Sequence, residues 1–152
     1  MAGAAPKFDV DASGLQVAVL VTGWHKQVMD GLQAGAERAL KAAGNDTYEI
    51  WNVPGAFELP LAAQYAIDQG ADVVIALGCV IYGQTPHFEY VCRAATDGLT
   101  RVQLDTGIPI GFGLLTVNDE QQALDRAGLP GSKEDKGAEA VEAAITMARL
   151  RS

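Results

Sequence analysis

Cysteine is scarce in this 152-residue chain: Cys79 and Cys92 are the only two, thirteen positions apart. That spacing fits neither a zinc-ligand pair nor a redox Cys-x-x-Cys, so two reduced thiols are expected. Basic residues are few, eleven Lys and Arg against nineteen Asp and Glu, for a formal net charge of −8. Such an acidic chain is not expected to bind nucleic acid or an anionic membrane. It can still take a phosphorylated metabolite, provided that donors cluster locally. No apolar run approaches the ~20 residues that a membrane-spanning helix needs. The N-terminus, MAGAAPKFDVDASG, is small and polar, lacks a hydrophobic signal region and has Lys7 as its one basic residue. Secretion is therefore not expected, and the chain reads as cytoplasmic. Repeats, low-complexity tracts and interdomain linkers are missing too.

What is present is an alternation of strand and helix patterns. With 49% of its residues apolar, the chain can fill the core of one α/β domain. Residues 1–13 read as a flexible arm and 14–152 as a single domain. Gln16–Val21 is a short, β-branched apolar run and predicts a buried strand. His25–Ala43 spaces Val28, Leu32, Ala36, Ala39 and Leu40 as a helix, with Gly44 suited to its C-terminus. Thr47–Asn52 predicts a second strand and Leu59–Gln69 a second helix. Val73–Gly78 is a third strand, Phe88–Asp105 a third helix and Ile108–Thr116 a fourth strand. Two short helices follow, near Asp119–Ala127 and Lys136–Leu150. Right-handed crossovers between such strands give an α/β, three-layer, flavodoxin-like sandwich: a four-stranded parallel sheet flanked by helices on both faces.

Ligands of such sheets bind beyond the carboxyl ends of the strands, so the segments following each strand carry the chemistry. Both tryptophans and both histidines fall in or within a few residues of them. After the third strand, Thr85-Pro86 reads as an N-cap followed by proline at the first helical position. Free backbone N–H groups and the helix dipole favour an anion there, which makes Gly83-Gln84-Thr85 a plausible phosphate cradle. Most Thr-Pro helix starts are only caps. His87 follows, placed to take up and deliver protons; on spacing alone a surface or capping histidine is the favoured reading. Glu58 sits in an apolar stretch at the start of the second helix. It either complements that helix's dipole or accepts hydrogen bonds from a polyhydroxyl or amide ligand. Trp24 is either core or a stacking platform for a flat heterocycle. Arg126 and Lys136 flank the loop between the last two helices. Beside Asp125 and Asp135 they read first as solvated ion pairs, and Arg126 is able to grip a phosphate bidentately if the loop reaches one.

The segment Val53-Pro-Gly-Ala-Phe-Glu-Leu-Pro60 resembles the signature of the lumazine synthases. So do Ala76-Leu-Gly-Cys-Val-Ile-Tyr-Gly-Gln-Thr-Pro-His-Phe-Glu-Tyr-Val91, Leu115-Thr116 and Asp125-Arg-Ala-Gly…Asp-Lys-Gly137. They stand in the family's order and spacing over nearly the whole chain. The Trp24-His25 pair and the Gly-Leu-Pro-x-Ser loop are most similar to actinobacterial members. The resemblance implies a condensation, without cofactor or metal, of 5-amino-6-ribitylamino-2,4(1H,3H)-pyrimidinedione with 3,4-dihydroxy-2-butanone 4-phosphate. Its products are 6,7-dimethyl-8-ribityllumazine, phosphate and water, in the penultimate step of riboflavin biosynthesis. It further implies that Trp24 stacks on the pyrimidine, and that Ala56, Phe57 and Glu58 bind the ribityl chain and ring. Val80 and Ile81 would contact the heterocycle through their backbone. Gly83, Gln84, Thr85 and Arg126 would hold phosphate, and His87 would shuttle protons. Phe112 and Lys136, with Arg126, match residues lent by a neighbouring subunit. The family forms homopentamers, which in some members build sixty-subunit shells. The Leu129–Asp135 loop is longer than in shell-forming sequences and favours the pentamer. Tyr82 departs from the pattern, standing where most members have arginine. Two other readings remain at this stage: a flavin- or lumazine-binding protein of the same fold, and a shell-forming protein without catalysis.

Overall fold

The computed structural model describes residues 9–151. The elements run β1 (Val17–Thr22), α1 (Lys26–Ala42), β2 (Glu49–Val53), a 3₁₀ turn (Ala56–Glu58), α2 (Leu59–Asp68), β3 (Val73–Ile81), α3 (His87–Thr106), β4 (Ile110–Val117), α4 (Glu120–Leu124) and α5 (Lys136–Arg151). All four strands pair in parallel, in the order β2-β1-β3-β4. The expected α/β sandwich is therefore the one observed. Strand order, which one sequence does not give, reverses between β1 and β3. The carboxyl ends of that pair form the crevice where doubly wound sheets hold ligands.

Side chains alternate across each strand and so build two cores. Val17, Val19 and Val21 of β1 pack with α1, α4 and α5, around Val28, Leu32, Ala123, Val141 and Ile145. Ala18 and Leu20 of the same strand face α2 and α3, around Leu59, Ala63, Ala95 and Leu99. Every residue of β1 is buried. This explains why β1 reads as an unbroken apolar run rather than an alternation.

Most boundaries shift by one or two residues from the sequence expectation, as in β2 and β4; those of β3, α1 and α4 have a visible cause. β3 runs three residues past Gly78, because Cys79, Val80 and Ile81 pair with Leu115, Thr116 and Val117 of β4. α1 begins at Lys26, because His25 takes a left-handed conformation, φ 58° and ψ 65°. It is the one non-glycine residue with positive φ among the described residues, a placement that costs on the order of 1–3 kcal/mol. α4 stops at Leu124 rather than near Ala127. The Asp125 carbonyl accepts from the N–H groups of Lys133 and Glu134 at 2.8 and 2.9 Å, and the Arg126 carbonyl from Lys136 N–H at 3.0 Å. Before them the turn has already tightened, because the Arg126 and Ala127 N–H groups donate three residues back, to the Ala123 and Leu124 carbonyls at 3.1 and 3.4 Å. Gly44 after α1 and Gly107 after α3 are left-handed, as helix ends prefer.

Of the arm expected over 1–13, residues 1–8 lie outside the described residues. Ala12 is buried, donates its N–H to the Ala43 carbonyl at 2.8 Å and accepts from the Asn45 side-chain amide at 2.9 Å. The Arg149 guanidinium donates to the carbonyls of Asp11 and Ser13. Among the described residues, no helix is long and apolar enough to cross a membrane.

Candidate active site

The turns after β1 and β2 meet over one glycine. Gly23 N–H donates to the Pro54 carbonyl at 3.3 Å, holding the two segments together. Gly55 is buried beneath them. A Cβ added there would stand 3.2 Å from Trp24 Nε1 and 3.3 Å from Glu58 Oε1. The edge of the Trp24 indole and the Glu58 carboxylate therefore converge above the same backbone atom. Ala56 is buried and Glu58 half-buried, whereas the rings of Trp24 and Phe57 are 66% and 65% exposed. Two large aromatic surfaces left in solvent beside a carboxylate mark a place built to be covered. The core alternative for Trp24 does not hold, since its ring is not packed away.

The segment after β3 forms the opposite lip. Val80 and Ile81 are half-buried at the end of the strand, and Tyr82 N–H donates to the Val117 carbonyl at 2.8 Å. The chain then leaves the sheet, with Gly83, Gln84 and Thr85 exposed. A Cβ on Gly83 would meet nothing within 4 Å, so this loop lies open to approach. Among the described residues nothing accepts from the N–H groups of Gly83, Gln84 and Thr85. Pro86 is already helical at φ −68°, and Thr85 Oγ1 accepts from His87 N–H at 3.4 Å. The N-cap falls on Pro86, one residue later than the expected Thr85, and carries no side-chain capping bond; free donors and the positive end of a 20-residue helix face the same space. The His87 side chain is exposed beside them.

Tyr82 packs edge-on against Phe88, with ring centroids 5.4 Å apart at 71°. The two rings line a groove with Cys92, Thr96, Phe112 and Thr116 between α3 and the edge strand β4. Phe112 is 49% exposed there. On β4 it faces the same side as buried Leu114, beside α3, which leaves the ring half exposed.

Arg126 and Lys136 come together in a different way. The backbone pairs Lys136 N–H with the Arg126 carbonyl and Gly128 N–H with the Glu134 carbonyl, both at 3.0 Å. The Ala127–Asp135 bridge completes a short antiparallel ladder. Arg126 Nε lies 3.6 Å from Glu134 Oε2, and Lys136 Nζ lies 3.6 Å from Glu134 Oε1. The sequence reading looked to Asp125 and Asp135 as partners. The structure corrects it: Asp125 faces Lys133 and Asp135 faces Arg38, because the ladder turns adjacent side chains to opposite sides. Among the described residues, no hydrogen bond or ion pair joins this cation pair to the Gly83–Thr85 loop of its own chain. Phe112, on the edge strand β4, is separated by β3 from β1 and the Trp24 turn that follows it.

Neither thiol suits nucleophilic chemistry. Burial, with a smaller contribution from the Glu120 charge, pushes the Cys79 thiol up to about 11, and burial raises Cys92 as well. Among the described residues, no three His, Cys, Asp or Glu side chains are placed to hold a metal ion. The sequence reading missed Gly55, whose signal was the Pro-Gly turn directly after a strand, and Glu134, which is indistinguishable from a solvated charge until the ladder is seen.

Comparison with known proteins bears on this arrangement. The family model described as 6,7-dimethyl-8-ribityllumazine synthase matches residues 14–152. Proteins named 6,7-dimethyl-8-ribityllumazine synthase are similar over most of the chain. That of Leifsonia xyli subsp. xyli is 60% identical over 139 residues, covering 91% of this chain and 87% of its own. That of Clavibacter michiganensis subsp. michiganensis is 61% identical over 149 residues, covering 96% and 92%. That of Streptomyces avermitilis is 55% identical over 150 residues, covering 97% and 93%. The matched span contains both lips of the crevice, the groove and the cation ladder. This chain belongs to the 6,7-dimethyl-8-ribityllumazine synthase family.

Proposed function

We propose that this chain, as a single domain over 14–152, condenses 5-amino-6-ribitylamino-2,4(1H,3H)-pyrimidinedione with 3,4-dihydroxy-2-butanone 4-phosphate. The products are 6,7-dimethyl-8-ribityllumazine, phosphate and water, formed in the cytoplasm as the penultimate step of riboflavin biosynthesis. The observation that carries the reading is the meeting of Trp24 and Glu58 over Gly55, beside the β1/β3 crevice. A flat heterocycle bearing a polyhydroxyl chain needs a ring to stack on and a carboxylate to accept its hydrogen bonds.

The chemistry follows from that placement. The diamine's free amino group attacks the ketone and loses water to give an imine. Phosphate then leaves by elimination, the product tautomerises to expose a carbonyl, and the ribitylamino nitrogen attacks that carbonyl and closes the ring with loss of a second water. Trp24, Ala56, Phe57 and Glu58, with the Val80 and Ile81 backbone, fix the diamine. The free N–H groups of Gly83–Thr85, the Thr85 hydroxyl and Arg126 receive the phosphate. Holding two reactants in register supplies about 7–11 kcal/mol of the acceleration. His87 moves the protons, a contribution of about 10²–10⁴-fold.

The reading places Phe112, Arg126 and Lys136 in the site of a neighbouring copy. Their separation from Trp24 and Glu58 within one chain supports this, as does the open groove in which Phe112 lies. A closed ring of identical subunits, the pentamer, satisfies such a heterologous contact. A monomer would then have an incomplete site.

His87→Ala is expected to lower kcat within that 10²–10⁴-fold bound, with KM for both substrates little changed, and to leave turnover above the spontaneous rate. Steady-state kinetics of lumazine formation check this. Unchanged kcat would remove His87 from the mechanism.

A further inference from the structure

Glu134 presents one carboxylate oxygen to each of the two cations, at 3.6 Å in both cases. Glu139 adds a second anion on Lys136 at 3.0 Å. The surrounding charges are paired elsewhere, Asp125 with Lys133 at 3.8 Å and Asp135 with Arg38 at 3.1 Å. The inner group of Arg126, Lys136, Glu134 and Glu139 therefore carries no net charge. A phosphate dianion arriving there meets cations already neutralised.

The Glu134 carboxylate is not needed to bring those cations together, because the main-chain ladder does so. Lys136 N–H holds the Arg126 carbonyl, and Glu134 N–H holds that of Asp125. Its contacts are also longer than the 2.7–2.9 Å of a good charge-assisted hydrogen bond. A phosphate oxygen that approached at that distance would satisfy Arg126 better than Glu134 does.

We propose that Glu134 is an internal competitor for phosphate, a carboxylate that occupies the Arg126–Lys136 pair when no ligand is there and weakens its hold on the phosphate released. The proposal rests on the reading of Arg126 as a phosphate-binding group and takes Lys136, which shares the Glu134 carboxylate with it, as the adjacent cation. It makes Glu134 a residue that sets affinity through the cations and not a group that touches the reacting atoms.

Titration of the wild-type, Glu134→Gln, Glu134→Ala and Arg126→Ala proteins with inorganic phosphate, at several salt concentrations, tests it. Both Glu134 variants are expected to bind phosphate about three- to tenfold more tightly at low salt. The difference should shrink as salt rises. KM for the keto-phosphate should fall in parallel while kcat does not rise. Weaker or unchanged phosphate binding in both Glu134 variants would overturn the proposal and make the carboxylate an organiser of the pair or a bystander. Unchanged phosphate binding in Arg126→Ala would overturn the phosphate reading itself, and this proposal with it.

Discussion

Replacing Arg126 with alanine is expected to lower kcat/KM about tenfold to a hundredfold, mostly through KM for the keto-phosphate. The size is that of a hydrogen bond to a charged group, about 1.5–3 kcal/mol. The Gly83–Thr85 donors remain in place, so phosphate affinity is reduced and not lost. Stability should hardly change. The Arg126 side chain is 39% exposed and its pair with Glu134 spans 3.6 Å, and such surface pairs are worth at most about 1 kcal/mol. Its second bond, to the Gln122 carbonyl at 2.9 Å, lies at the end of a helix where water can replace it. Kinetics together with urea midpoints separate the two roles. Arg126→Ala also reports on where the site lies. Refolded together with Glu58→Ala, another variant expected to be impaired, it should recover activity, because mixed assemblies contain sites with Glu58 from one copy and Arg126 from the next. No recovery would mean that Arg126 serves its own chain.

Gly137→Ala should show the largest loss of stability. Gly137 opens α5 directly after Lys136, where α5 presses on α1. An added Cβ would overlap the Leu32 carbonyl oxygen and stand 3.1 Å from Ala36 N. The obstacle is backbone in the middle of a helix, and no rotamer change relieves it. The two helices must part, and they carry Leu32, Ala36, Val141 and Ile145 of the larger core. A cost of about 3 kcal/mol, at the upper end for overpacking, is expected. A lower urea midpoint with an unchanged slope measures it. Gly83→Ala is the matching control: its Cβ meets nothing within 4 Å, so the midpoint should stay where it is. Parting of α1 and α5 also displaces Lys136, so loss of stability in Gly137→Ala should come with weaker phosphate binding.

The parts of this molecule that are local in sequence were the legible ones. β1 is six buried residues in a row, and only a strand covered on both faces tolerates such a run. The Thr85-Pro86 helix start and the Gly44 terminus follow from backbone chemistry that neighbouring residues dictate. Trp24, Glu58, Gly83 and His87 were found because strand ends in a parallel sheet fall on one edge. The family resemblance then assigned each of them a role. What escaped depends on pairing between distant segments. The extra length of β3 is set by β4, nearly forty residues on, through the Ile81–Val117 register. The partners of Arg126 and Lys136 follow from a ladder between residues 125 and 136, so the adjacent acids Asp125 and Asp135 were misleading. The left-handed His25 has no signal in its residue type. Its carbonyl accepts Met29 N–H at 2.9 Å, which shows the helix already under way at a residue whose own φ is not helical. Tyr82 differs from the arginine usual at its position. Its edge-on contact with Phe88 places it in the groove that Phe112 also lines.

By the proposed function, this chain makes 6,7-dimethyl-8-ribityllumazine from two bound substrates by positioning and proton transfer. The most direct test gives the purified, chelator-treated protein both substrates and follows lumazine absorbance against an enzyme-free control. Saturable turnover well above the spontaneous condensation is the expected result. A rate equal to the control, with lumazine still bound, would contradict it and leave a binding or shell-forming protein of the same fold.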